Sequence, residues 1–228
     1  MAITVTHLVT NFNNATQASY TTASITPPAN EVTFAFLFTN GNVTSTTTGN
    51  SRTWSQLGIY NGTGGRSIHG FYTYDTSAGA AGAVTFSLSG SPAGAAWSIF
   101  SLAGTDVSGT NGAGAFVANS TSLSNNAGAS VSGTNTGNSV TLSALSNTNN
   151  LSMGFTRNNT ANAITAGSGY TSIGSWATSG TAGRSEYLVP GAILVDFTWG
   201  SQSVISVMAA VEIKVASAVK SLALVGVG

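Results

Sequence analysis

Apolar residues recur at every second position through several stretches of this chain, and that period constrains the fold more than any other feature. Val32, Phe34, Phe36 and Phe38 fall on one side of a run, with Thr33 and Thr39 on the other. Val84, Phe86 and Leu88 alternate with Thr85, Ser87 and Ser89; Ile193, Val195, Phe197 and Trp199 alternate with Asp196 and Thr198. Ile205, Val207, Val211 and Ile213 share a face opposed to Ser206, Glu212 and Lys214. Successive side chains of a strand point to opposite faces, so this pattern reads as antiparallel sheet with one buried side. Turn residues separate the runs, as in Asn40-Gly41, Gly64-Gly65, Ser89-Gly90-Ser91-Pro92 and Gly167-Ser168-Gly169. Glu, Lys and Gln, the usual fillers of a helix surface, are scarce. The expectation is an all-β chain: a jelly-roll β-sandwich of about eight to ten antiparallel strands.

The runs also repeat. Phe36-Leu37-Phe38-Thr39-Asn40 resembles Met153-Gly154-Phe155-Thr156-Arg157, and Trp54-Ser55-Gln56-Leu57-Gly58 resembles Tyr170-Thr171-Ser172-Ile173-Gly174. Gly65-Arg66-Ser67 matches Gly183-Arg184-Ser185, and Val84-Thr85-Phe86-Ser87 resembles Val195-Asp196-Phe197-Thr198. The matches keep their order at offsets of 117, 116, 118 and 111 residues. An internal two-fold pseudo-repeat follows, with halves at about 20–104 and 139–215 inside one sandwich domain, 1–215. Four strands alone bury little, so the halves are expected to face each other rather than fold apart. The connection, 105–138, is rich in Gly, Ala, Ser, Asn and Thr and is expected to carry one or two exposed edge strands. Residues 216–228 read ASAVKSLALVGVG, too apolar for a solvated tail. They form either one more strand of the same sheet or an arm that adds to a neighbouring subunit.

Charge limits function. Six Lys or Arg and six Asp or Glu make up 5% of 228 residues, with formal net charge zero. Scattered Arg52, Arg66, Arg157, Arg184, Lys214 and Lys220 cannot form the cationic track that releases counterions from phosphates, so no nucleic-acid partner is expected. Continuous apolar stretches long enough for a transmembrane helix are absent, so no membrane is expected either. The opening MAITVTHLVT has neither a basic nor a continuous apolar segment of the kind a secretory signal needs. With no cysteine, disulfides and thiolate metal sites are out of reach.

Catalytic residues, cofactors and metal ligands are all expected to be absent. His7 falls in the apolar alternation Ile3, Val5, His7, Val9 and reads as a core or edge histidine; His69 has no carboxylate at metal-ligand spacing. Glu31, Asp75, Asp106, Glu186, Asp196 and Glu212 lie far apart, with none of the paired spacings of sandwich glycosidases. Asp75 before Thr76-Ser77, and Asp106 after Gly104-Thr105, read as Asx turns rather than calcium ligands. Trp54, Tyr60, Tyr72, Tyr74 and Trp176 stand outside the strongest apolar stripes; they read as core or interface aromatics, with sugar stacking as the alternative. Arg66 and Arg184, each between Gly and Ser, are interface candidates, as are Leu222, Leu224, Val225 and Val227.

The string Ala95-Ala96-Trp97-Ser98-Ile99-Phe100-Ser101-Leu102-Ala103-Gly104-Thr105-Asp106, with Thr53-Trp54-Ser55-Gln56-Leu57-Gly58, Gly65-Arg66-Ser67-Ile68 and Ala209-Ala210-Val211-Glu212-Ile213-Lys214, resembles structural virion proteins of tailed bacteriophages and prophages. Those proteins are concanavalin-like or jelly-roll sandwiches. The likeness spans roughly residues 20 to 215 and carries no catalytic residue across. It implies a protein made in the host cytoplasm and located in the virion. The leading expectation is a capsid decoration (cement) protein that binds the particle exterior as a homo-oligomer, a trimer being favoured, with itself and a capsid or other virion protein as partners. The alternatives are a carbohydrate-binding or host-adhesion module at a tail tip or fibre, and a secreted filament subunit joined by strand exchange.

Overall fold

The computed structural model describes residues 2–117, 128–160, 162–178 and 180–217. Apolar alternation becomes antiparallel strand throughout. In chain order these are β1 (Thr4–Thr16), β2 (Ser19–Thr21), β3 (Val32–Thr39), β4 (Ser45–Gly49), β5 (Ser55–Gly62), β6 (Arg66–Thr73), β7 (Val84–Leu88) and β8 (Ala93–Ala103). After a short 3-10 stretch at Thr110–Ala115 come β9 (Gly128–Thr141), β10 (Leu151–Asn158), β11 (Thr165–Ala166), β12 (Thr171–Ala177), β13 (Ala182–Leu188) and β14 (Leu194–Ile213). Fourteen strands among the described residues exceed the eight to ten expected, because each half adds an outer layer, a separate small sheet in the first and a continuation of the same sheet in the second.

Strand order explains the surplus. The first half forms a large sheet, β1-β8-β3-β6-β5, and a small one, β2-β7-β4. The second half repeats the plan with fewer breaks. The N-terminal part of β9 pairs the C-terminal part of β14, which pairs β10, then β13, then β12. The C-terminal part of β9 and the N-terminal part of β14 continue past a register break between Thr198 and Gln202, and β11 joins them there. Two long strands thus do the work of four, each passing from the inner to the outer layer. Ile193–Trp199 and Ile205–Ile213, read in the sequence as separate runs, lie within or beside this one strand.

Three cores separate the layers. Phe34, Phe36, Phe38, Ile68, Phe100 and Leu102 face Leu151, Met153, Phe155, Val207, Val211 and Ile213 across the seam between the halves. Phe36 stacks on Phe155 there, ring centroids 5.3 Å apart. Behind the first large sheet, Leu37, Phe71, Trp97 and Ile99 pack on Tyr20, Val84 and Phe86 of the small sheet. Behind the second, Met208, Ala210 and Ala182 pack on Val140, Val195 and Phe197. Gly154 makes room for this last layer, because a Cβ there would meet Val195 and Phe197. The large sheets are therefore buried on both sides; every residue of β3 and of β10 is buried.

Three sequence matches fall at equivalent places. Phe36 and Met153 face the seam, Trp54 and Tyr170 pack into the outer cores, and Val84-Phe86 and Val195-Phe197 fill those cores from the outer sheets. Gln56-Gly58 and Ser172-Gly174 even mark corresponding register shifts. The halves begin earlier than residues 20 and 139, since β1 and the whole of β9 belong to them. β9 supplies the edge strand expected within 105–138. Beyond β14, Val215 bridges Thr105 and the Ala216 N–H donates to Gly104 O at 2.8 Å, returning the chain to the end of β8. From 218 onward the C-terminal segment, with Leu222, Leu224, Val225 and Val227, lies outside the described residues.

Candidate functional site

The disposition of charge is the most unusual property of the folded chain. Eleven of its charged residues are described, and of these only Asp75 is exposed. Arg66, Arg157, Glu186 and Glu212 are buried, and Glu31, Arg52, Asp106, Arg184, Asp196 and Lys214 are half-buried. Several hold the chain together. Glu212 Oε1 accepts from the Ser146 N–H (2.8 Å), the Ser146 hydroxyl (3.0 Å) and Asn150 Nδ2 (2.6 Å), which ties the loop before β10 to the end of β14. Lys214 pairs with Asp106 at 3.4 Å. Arg52 donates to the carbonyls of Pro28 and Ser77. Asp75 Oδ1 accepts from the Ser77 N–H at 2.9 Å and Asp106 Oδ1 from the Ser108 N–H at 3.0 Å, the two Asx turns expected. Among the described residues no three His, Asp or Glu side chains gather as a metal site would require.

The histidines differ in setting. His7 is exposed on β1, at a register shift, with Nε2 2.8 Å from Thr10 Oγ1. His69 is fully buried, its Nδ1 2.8 Å from Ser45 Oγ, its ring parallel to Phe71. Burial pushes His69 down to about 4. A serine beside an imidazole invites comparison with a nucleophile and base, but so weak a base draws little on a hydroxyl proton, and the other nitrogen faces Thr39 Oγ1 at 3.4 Å rather than a carboxylate.

One carboxylate pair missed by sequence spacing comes together on the outer face of the second half. Glu186 on β13 is fully buried, and its Oε2 accepts from the Gly167 N–H at 2.8 Å while Oε1 has no partner. Burial raises its carboxyl to about 8; the Gly167 hydrogen bond opposes this, the Asp196 charge adds to it and Arg184 opposes it. Burial likewise raises nearby Tyr170 to about 12. Glu186 is therefore mostly a neutral acid at pH 7. Tyr170 closes this corner by sharing a 2.8 Å hydrogen bond with Ser152 and donating to Leu194 O. Only Asp196 of the pair reaches an open groove of ≈ 730 Å³, where it lies beside Thr134, Asn135, Asn138 and Leu194. Ile193 and Leu194, 48% and 47% exposed, are the large apolar side chains most open to solvent among the described residues.

Arg66 and Arg184 are not structural equivalents. The β3–β6 ladder sets Phe38 opposite Ile68, which puts Arg66 on the seam face; the β10–β13 ladder sets Phe155 opposite Ser185, which puts Arg184 on the outer face beside Glu186. The offset of 118 is even, whereas β6 and β13 superpose face for face only at an odd offset. Arg66 is thus buried at the seam, 9% exposed. Its companion at the seam is Arg157, whose guanidinium lies over the Phe38 ring at 4.6 Å.

The aromatic residues weighed as sugar platforms pack against the cores, Trp176 buried and the other four half-buried. Trp54 packs on the first outer core and donates to Gly49 O at 3.3 Å, while Tyr60, Tyr72, Tyr74 and Trp176 pack on the seam core. Compared with known proteins, the chain matches no family model, no curated protein and no solved structure.

Proposed function

We propose that the chain is a non-enzymatic structural component of a virus particle, a decoration protein that binds the shell exterior as a homo-oligomer. The observation that carries the reading is the exterior itself: one exposed charge among eleven described charged residues, on a chain of formal net charge zero. Soluble monomers keep apart through charged surfaces, and a neutral, Ser/Thr/Asn-rich exterior favours association. The double layering of each half adds stiffness, since every large sheet is clamped between two cores. Exposed Ile193 and Leu194, the latter lining a polar groove, supply an apolar point of contact. The resemblance of Ala95–Asp106 and its companion strings to phage structural proteins supplies the kind of partner. A second reading, a carbohydrate-binding or host-adhesion module, draws on the same groove, where Asn135, Asn138 and Asp196 offer amide and carboxylate contacts.

Purified particles bearing the encoding genome provide the test. Recombinant chain should co-sediment with particles stripped of it and saturate at a fixed copy number. A protein that stays in the supernatant but binds a defined glycan on an array is an adhesion module instead.

A further inference from the structure

The seam between the halves ends in two buried cations that no described carboxylate neutralises. Arg66 is 9% exposed and Arg157 8%. Nε and Nη1 of Arg66 and Nη1 of Arg157 are buried without a hydrogen-bond partner. Among the described residues the one ion pair is Lys214 with Asp106, and neither arginine faces a carboxylate. The two are close enough that the charge of Arg66 adds to burial in pulling Arg157 down to about 9. Removing an ion from water costs several kcal/mol even after relaxation, and two like charges compound the cost. Phe38 under Arg157 returns only a fraction through its ring face.

The surroundings are laid out to receive an acceptor. Arg157 lines a narrow cleft at the seam mouth together with Asn14, Asn40, Trp176 and Thr181. The Trp176 indole N–H is itself buried without an acceptor. Arg66, the first residue of β6, does not line the cleft itself; its guanidinium lies against Gly64 of the preceding turn, and its charge is felt at Arg157. The free volume is ≈ 10 Å³, room for a single water-sized group. One oxygen can enter that space with its charge against guanidinium, while a bulky phosphoester cannot. We propose that Arg157 and the Trp176 N–H, with the charge of Arg66 close by, form a binding site for a carboxylate, which inserts one oxygen into the cleft and meets the planar donor edge of Arg157. The carboxylate comes either from a free small acid or from an Asp or Glu side chain of a neighbouring copy.

Formate is the probe. Thermal unfolding is followed while sodium formate replaces sodium chloride at constant ionic strength, for the native chain and for Arg157→Met and Arg66→Met. Binding to the folded state alone should raise Tm by roughly 5–10 °C at a hundredfold excess over Kd. Both Met variants should lose the formate response, and in chloride alone they should melt no lower than the native chain, since an apolar side chain replaces an unpaired buried charge. Sulfate serves as a control for general salting-out, which the variants must retain. A native chain indifferent to formate, or a Met variant that keeps the full response, overturns the site. Once binding is seen, formate is added to assembled protein: release of subunits identifies a carboxylate delivered by a neighbour, and intact assembly identifies a free acid.

Discussion

Glu186 makes a quantitative prediction about pH. Its folded carboxyl titrates at about 8 against an ordinary 4.5, so between those values the folded chain holds a proton that the unfolded chain has released. Stability from this group is complete below pH 4.5 and is lost as pH rises through 8. His69 acts in the opposite sense. Its folded value of about 4 lies below an ordinary 6.5, so its contribution is complete above 6.5 and is lost as pH falls through 4; His7, also lowered by burial, has the same sign. From about 4.5 to 6.5 the slopes of Glu186 and His69 cancel, leaving only the shallow rise that His7 contributes just below 6.5. From 6.5 to 8 the fall due to Glu186 stands alone. One proton is worth 1.36 kcal/mol per pH unit, so the loss over that window is about 2 kcal/mol, or roughly 4–8 °C in Tm for a chain this long. Differential scanning calorimetry in buffers of matched ionic strength reads it directly. Glu186→Gln keeps the shape and an acceptor for the Gly167 N–H but cannot ionise. It should abolish the fall above 6.5 and unmask a rise from 4 to 6.5. A native Tm that is flat from pH 6.5 to 8, or a fall that survives in Glu186→Gln, refutes the assignment of a buried neutral acid.

Further predictions concern the seam and the exterior. Phe155→Ala removes the ring stacked on Phe36 and should cost about 3–5 kcal/mol, seen as a lower midpoint in a single cooperative urea transition for both halves; two separated transitions would mean that the halves do not share a core. Gly183→Ala should destabilise by about 1–3 kcal/mol in the same assay, because the new methyl must displace the Trp176 ring. Assembly should persist in sedimentation velocity between about 0.1 and 1 M NaCl, where screening weakens exposed ion pairs but not apolar or neutral polar contacts; dissociation over that range would place charge at the interface.

Much of this fold was legible from period and repeat, and what was not has specific causes. The alternation of Val32 to Phe38 marks a strand with one buried side, but Thr33 and Thr39, opposite the apolar stripe, are buried too, as are Ala35 and Leu37. The warning lay in near-continuous apolar stretches such as Ala95–Ala103, since strands covered on both faces lose their polar side. The outer layers escaped notice because β2, β4 and β11 are only three, five and two residues long and carry little pattern. Matching Gly-Arg-Ser by letters paired Arg66 with Arg184 across an even offset, and one residue of slip inverts the face. Neither the seam arginines nor the Glu186–Asp196 pair could be read from spacing. Arg66 and Arg157 are 91 positions apart and meet because two sheets face each other, while Glu186 and Asp196 meet because β14 bends from one layer to the next.

A neutral-surfaced building element of a particle must be found in that particle. An electron cryo-microscopy map of intact virions, at a resolution that separates strands, tests this most directly. Density for the layered double sandwich should repeat in register with the outer shell. Particles whose shell and tail contain no such density, while the chain is found free in the lysate, would contradict it.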